Sequence, residues 1–189
     1  MATTVVFVEI LIIGLQALIW FVLFFIALVD LSWISLNTFK GWENLTTLLI
    51  LAFSYTLGII VDRIADTLFS PLDNKICGNA ITNKTVPVWK MRLFIMTQDN
   101  GITKYLEYIR SRLRIARSTT LNIALIIISF IVNNINGLFG QFNWITVFGV
   151  FVGIAVVTLS FFSWRSMTRN YYERLSQAYG VSIEKKLKK

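Results

Sequence analysis

Four arginines lie close together near the middle of the chain, at Arg110, Arg112, Arg114 and Arg117. Planar guanidinium groups bind phosphates through paired hydrogen bonds, and exposed aromatic rings stack on nucleic-acid bases. Aromatic residues that could do so occur nearby, at Trp89, Tyr105 and Tyr108. The cluster is therefore a candidate site for a phosphate, a nucleotide or nucleic acid, or a partner protein. The alternative is topogenic, because basic residues beside a transmembrane segment fix its orientation.

A second group of polar residues stands inside strongly apolar sequence, at Glu9, Gln16, Asn122 and Ser129. Within each of the two pairs the spacing is seven residues, which places both members on one face of a helix. Ionisable and polar groups inside a membrane can form an ion or proton pathway, and they also join helices by hydrogen bonds. For Glu9 a further alternative is an ion pair with a basic residue at similar depth: Arg63, Arg117 or Arg165.

A catalytic role is not indicated by the remaining ionisable residues. Asp62 and Asp66 lie one helical turn apart and could do acid–base chemistry, but Arg63 beside them indicates charge balance instead. The chain has no histidine and only one cysteine, Cys77, so histidine–cysteine metal sites and intrachain disulfides are excluded. No glycine-rich phosphate loop occurs either. We predict that the protein is not an enzyme and holds no metal or cofactor.

The composition assigns the chain to the membrane proteins. Of the 189 residues, 56% are hydrophobic and only 15% are charged, against about 25% charged residues in an average soluble domain. Four segments have the length of about 20 apolar residues that a bilayer requires. The predicted spans are residues 5–29, 42–64, 118–137 and 144–164.

The distribution of basic residues predicts the orientation of these spans. Seventeen of the eighteen lysines and arginines lie between spans two and three, at the end of span two, or after span four, and Lys40 is the remaining one. Basic residues concentrate on the cytoplasmic side of membrane proteins. We therefore expect both termini in the cytoplasm, with the chain in a bacterial inner membrane.

Spans three and four are predicted to continue as helical stalks into the cytoplasm. Before span three, Leu106, Ile109, Leu113 and Ala116 form an apolar stripe that needs a partner: the C-terminal tail, another copy or another protein. The tail offers a match on the face formed by Tyr171, Leu175 and Ala178.

The sequence between the second and third spans is rich in turn-forming residues. From Ser70 to Pro87 we expect loops and turns, and Gly180 is the expected C-cap of the last helix. A further turn signal, QDNG, occupies residues 98–101. The segment VWKMRLFIM before it is predicted to be an interfacial helix with Trp89 at the headgroups, or else a strand.

The predicted fold is an all-α polytopic membrane protein in four parts. Residues 1–66 form one transmembrane hairpin, 67–117 a basic cytoplasmic region, 118–164 a second hairpin, and 165–189 a cytoplasmic helix with a basic tail. Gly149 and Gly153 form a GxxxG motif in span four, which permits close helix packing. This motif and the apolar stripe predict a homo-oligomer, with a tetramer as the first choice.

The number of spans and the basic cytoplasmic part resemble the small four-span membrane subunits of prokaryotic anti-phage defence systems such as Kiwa and Hailong. The resemblance covers topology and carries over no functional residue. It implies a membrane effector that works with a cytosolic sensor. We therefore expect a channel-like homo-oligomer whose basic cytoplasmic collar responds to a cytosolic partner or a nucleic-acid or nucleotide signal. The alternative is a non-conducting membrane anchor that recruits a cytosolic protein.

Overall fold

The computed structural model describes residues 2–28, 41–81, 86–98, 100–135 and 144–187. These residues form five helices and no strand: α1 (Ala2–Leu28), α2 (Glu43–Ala80), α3 (Val88–Gln98), α4 (Asn100–Ile135) and α5 (Trp144–Leu187). Four of the helices, α1, α2, α4 and α5, are long and apolar enough to cross a membrane. The predicted all-α membrane architecture is confirmed. The predicted ends of spans one and three, at residues 29 and 137, lie outside the described residues.

Two helices run further than the sequence predicted. The turn-forming residues after Ser70 belong to α2, which contains Pro71 and ends at Ala80. Likewise, α5 continues through Gly180, whose backbone does not adopt the left-handed conformation of a C-cap. Both predictions of a chain break were wrong. At the end of α2, burial of Cys77, Ala80 and Ile81 outweighs local propensity. The helical alternative for VWKMRLFIM is confirmed by α3.

The ends of four helices share a small apolar core, which we call the distal cluster. It contains Ile81 from the end of α2, Met91 and Ile95 from α3, Leu106 from α4, and Tyr171, Tyr172 and Leu175 from α5. Ile109 and Leu113 of α4 and Ala178 of α5 pack against it. Of the three partners considered for the apolar stripe of α4, the structure therefore shows the C-terminal tail.

The helices α1 and α2 approach each other so closely that their backbones touch. A Cβ atom on Gly14 would lie 1.6 Å from the carbonyl oxygen of Ser54, and one on Gly58 would lie 2.1 Å from that of Ile10. Small residues allow such contacts between membrane helices. On its other side α1 packs along α4, and α4 in turn packs along α5.

The GxxxG motif of α5 faces α4 of the same chain. A Cβ atom on Gly153 would lie 2.7 Å from Cγ1 of Ile127, whereas one on Gly149 would meet only Phe130, at 3.9 Å. Gly153 thus permits close packing of α4 on α5. The motif and the apolar stripe, which suggested self-association, both have partners within one chain, and the homo-oligomer stays a prediction.

The contact between α1 and α2 predicts unequal effects of two glycine substitutions in one helix. We expect Gly58→Ala to lower the free energy of unfolding by about 1–3 kcal/mol, because the methyl group forces the two backbones apart. Gly78→Ala, where nothing lies within 4 Å, should be neutral or stabilising by up to about 1 kcal/mol. Unfolding by dodecyl sulfate in mild detergent micelles measures both. Equal effects of the two substitutions would contradict the close contact.

Candidate functional site

The polar residues of the apolar segments join α4 to α1. Asn122 accepts a hydrogen bond from the indole nitrogen of Trp20 at 3.0 Å and donates one to the carbonyl oxygen of Ile13 at 3.0 Å. Gln16 accepts a hydrogen bond from the hydroxyl group of Thr119 at 3.1 Å. Each side-chain amide is thus engaged by the facing helix.

The same pattern continues along α4 towards its C-terminus. The hydroxyl group of Ser129 donates to the carbonyl oxygen of Trp20 at 3.3 Å, and the amide of Asn133 donates to that of Leu23 at 2.7 Å. Sequence reasoning missed Asn133, although it follows Ser129 by four residues and so lies on the same helix face. These bonds act as the helix-joining contacts that polar residues provide in membranes.

Glu9 is 3% exposed and pairs with α4. Its carboxylate accepts a hydrogen bond from the hydroxyl group of Ser111, and its Oε2 lies 3.5 Å from Nη1 of Arg114. The basic partner expected from depth along the spans was Arg63, Arg117 or Arg165, so that assignment was wrong. The actual partner follows from helix packing, because α1 lies beside α4 and α4 begins well before its apolar part.

The ion pairs extend from Glu9 across to α2. Nε of Arg114 lies 3.7 Å from Asp62, and Arg117 lies 3.5 Å from Asp62 and 2.5 Å from Asp66. We call Glu9, Asp62, Asp66, Arg114 and Arg117 the ionic junction. It links α1, α2 and α4 at one boundary of their apolar parts, near the start of α1, before the apolar part of α4 and after that of α2.

Next to the ionic junction is a polar cavity of about 420 Å³ between α2, α3, α4 and α5. Ionisable side chains dominate its wall: the arginines Arg63, Arg92, Arg110, Arg114 and Arg117, and the aspartates Asp62, Asp66 and Asp73. The structure therefore brings together three of the four arginines singled out from the sequence. Arg112 is not among them, since its guanidinium carbon stacks 4.5 Å from the ring centroid of Tyr108.

Two tyrosines complete the wall of the cavity beyond the apolar part of α5. The hydroxyl group of Tyr172 donates a hydrogen bond to Asp73 at 2.8 Å. Burial raises the pKa of Tyr172 above its ordinary value, and the hydrogen bond and charge of Asp73 raise it further. Burial likewise raises the pKa of Tyr171. Both phenols therefore stay neutral at physiological pH.

Several polar atoms at the cavity wall have no hydrogen-bond partner in the described part of the chain. They are Nε of Arg92, Nε of Arg117 and the hydroxyl group of Thr168. Sequence reasoning missed Arg92 and Thr168, because they join the site only through the packing of α3 and α5. Buried polar atoms are rarely left unpaired, which makes this cavity the candidate binding site.

A second candidate feature is the outer face of α3. Its inner face buries Met91 and Ile95 in the distal cluster. Its outer face carries Trp89, Leu93 and Met96, which are 62%, 57% and 45% exposed. We call these three residues the α3 stripe. The amino group of Lys90 lies 5.4 Å from the ring centroid of Trp89.

Comparisons with known proteins identify no relative of this chain: no family model matches it, and neither a curated protein nor a solved structure is significantly similar. The function must therefore be argued from the cavity, the ionic junction and the α3 stripe.

The ionic junction predicts that one arginine matters more for stability than its neighbour. We expect Arg114→Met to cost about 2–3 kcal/mol of unfolding free energy, because it leaves the carboxylate of Glu9 buried without its countercharge. Arg112→Met, which removes an exposed arginine, should cost less than about 0.5 kcal/mol. Unfolding by dodecyl sulfate compares the two.

A double substitution separates charge from packing at this position. Adding Glu9→Gln to Arg114→Met removes the unpaired carboxylate, so it should restore part of the lost stability. If Arg114→Met unfolds like Arg112→Met, the pair with Glu9 contributes nothing and the ionic junction has no structural role.

Proposed function

We propose that the protein is a non-conducting membrane anchor that recruits a soluble partner protein through the α3 stripe. The observation that carries this proposal is the exposure of three large apolar side chains at positions i, i+4 and i+7 of a helix whose other face is fully packed. Contiguous apolar surface exposed to water marks a site of protein association. Grooves of partner proteins bind helices through anchors at this spacing.

The position of α3 along α5 favours a soluble protein, rather than lipid, as the partner of the α3 stripe. Met91 and Ile95 pack against Tyr171 and Leu175, and the ring of Phe94 lies 5.4 Å from that of Tyr179. Residues 171–179 follow Trp164, the last residue of the predicted span, by about 10–20 Å along the helix. Trp89 is therefore better suited to contact a protein than to sit at the headgroups, where the sequence had suggested it.

The charge around the α3 stripe indicates the chemistry of the partner. Lys90 lies beside Trp89 of the α3 stripe, and the exposed Lys104 follows at the start of α4. A partner surface that is apolar at its centre and acidic at its rim complements this arrangement.

The channel-like function predicted from the sequence receives less support. Its pathway residues were Glu9, Gln16, Asn122 and Ser129, and each is bonded to the facing helix within one chain. A pathway needs polar groups that are free to exchange partners with a moving ion or proton. We therefore prefer the anchor.

Recruitment through the α3 stripe can be tested by photo-crosslinking in native membranes. A photoreactive amino acid at Leu93 should form one discrete adduct with a soluble protein, because this side chain lies at the centre of the stripe. Changing Trp89 to Glu in the same protein should remove the adduct, because it places a carboxylate in an apolar contact. Glu107→Gln, on the exposed face of α4, is the matched control and should leave the adduct intact.

Two results would contradict this function. Adducts with lipid alone would mean that the α3 stripe rests on the membrane. Ion flux in proteoliposomes of the unmutated protein that Gln16→Leu abolishes would favour the channel over the anchor.

The proposal also requires the distal cluster to face the cytoplasm. In a Cys77→Ala background, a single cysteine at Gly180, which has open space around it, should react with a membrane-impermeant maleimide only after the cells are permeabilised. A cysteine at the exposed Trp42, at the opposite end of α2, should react in intact cells. The reverse pattern would place the α3 stripe outside the cell and exclude a cytosolic partner.

A further inference from the structure

We infer that the cavity between α2, α3, α4 and α5 binds a phosphate group, held by Arg92, Arg117 and Thr168. This inference is independent of the proposed recruitment through the α3 stripe. It rests on three properties of the cavity wall: unpaired hydrogen-bond donors, an excess of positive charge, and the directions from which the donors converge.

The unpaired hydroxyl group of Thr168 is the most specific of these observations. Threonines within helices usually donate to the carbonyl group one turn earlier. In this chain five others donate to the residue four positions before them: Thr46, Thr47, Thr67, Thr120 and Thr158. Thr168 is 1% exposed, lines the cavity and has no hydrogen-bond partner among the residues that the structure describes. Its hydroxyl group is therefore available to a ligand in the cavity.

The other unpaired atoms at the wall are also donors. Within the described ranges, the Nε–H groups of Arg92 and Arg117 are buried without a hydrogen-bond partner, and a guanidinium group has no acceptor. A ligand that satisfies all three residues must therefore present several acceptor oxygens. Leaving such donors unpaired in a buried site costs stability, so the cavity favours a ligand that accepts hydrogen bonds.

The charges at the wall select an anion. Five arginines face three aspartates in the cavity, and Glu9 pairs with Arg114 from outside it. One positive charge therefore remains in excess after all four carboxylates are counted. Among the described residues, no carboxylate lies within salt-bridge distance of Arg92 or Arg110.

The directions of the donors favour phosphate over a planar carboxylate. Arg92 belongs to α3, Arg117 to α4 and Thr168 to α5, so their donors reach the cavity from three helices. A phosphate presents more acceptor oxygens than a carboxylate and spreads them in three dimensions, so it can accept hydrogen bonds from all three helices and is the better match. Arginine is the residue that most often binds phosphate with two parallel hydrogen bonds.

Two sources could supply this phosphate group. The cavity extends from the ends of the predicted spans, at Asp62, Arg117 and Trp164, to Arg92 and Tyr171 beyond them, so one end of it lies at the expected level of lipid headgroups. A volume of about 420 Å³ falls within the usual range for small-molecule sites of about 300–1,000 Å³. The group can therefore belong to an anionic lipid or to a soluble phosphate ester.

Thermal unfolding of the purified protein tests the inference. Millimolar inorganic phosphate should raise the unfolding midpoint by about 3 °C over sodium chloride at equal ionic strength, because a ligand that binds only the folded state stabilises it. For a lipid source, nanodiscs of phosphatidic acid should raise the midpoint over nanodiscs of phosphatidylcholine.

Substitutions tie the effect to the cavity. Thr168→Val should raise the phosphate concentration needed for half of the stabilisation about fivefold. Arg92→Gln should raise it about tenfold. Without phosphate, Thr168→Val should unfold at the same or a higher temperature, because the lost hydroxyl group had no partner. Thr158→Val, on the same helix, and Arg112→Gln, outside the cavity, are the matched controls and should respond like the unmutated protein.

Each result decides the question. A response to inorganic phosphate that depends on Thr168 supports the site with a soluble ligand, and a response only to phosphatidic acid with the same dependence supports it with a lipid. No response to either probe, or equal responses of Thr168→Val and Thr158→Val, would overturn the inference.

Discussion

The buried carboxylate of Glu9 requires a positive charge at a fixed position beside it, and the rest of the structure depends on this pair. Removing a charge from water costs several kcal/mol unless a partner and hydrogen bonds compensate for it. Ser111 and Arg114 supply both from α4. Because Arg114 also contacts Asp62, one guanidinium group positions α4 against α1 and α2 together. The cavity lies directly beside this contact.

The register of α4 against α1 is fixed at many points along its length. From Ser111 to Asn133, α4 presents polar side chains to α1, and those of Asn122, Ser129 and Asn133 meet backbone carbonyl groups. All three bonds are formed together at one register, and sliding one helix along the other breaks them together. Apolar packing alone tolerates more slippage, because Leu, Ile and Val surfaces resemble one another.

The sequence was sufficient to predict the helices but not their ends. The four apolar runs predicted four long helices, which the structure has. The turn-forming residues around Pro71, and Gly180, predicted helix ends that the structure does not have. After Pro71 the local signal failed because Ile81, which follows α2, is buried against Tyr171 and Leu175 of α5. Contacts between residues so far apart in the sequence cannot be predicted from a short segment. The same reason explains the site: Arg110, Arg114 and Arg117 could be found from their spacing, while Arg92 and Thr168 reach the cavity only through tertiary packing.

Because α5 continues through Gly180, one uninterrupted helix connects the membrane part of the protein to the distal cluster. The helix has 44 residues, which corresponds to about 66 Å. A change of about 5° in its tilt moves one end relative to the other by about 6 Å. Since Tyr171 and Leu175 are part of the distal cluster, the helix tilts only together with α3 and the ends of α2 and α4. A tilt of about 5° in the membrane half of α5 would therefore be accompanied by a displacement of several ångströms in the distal cluster.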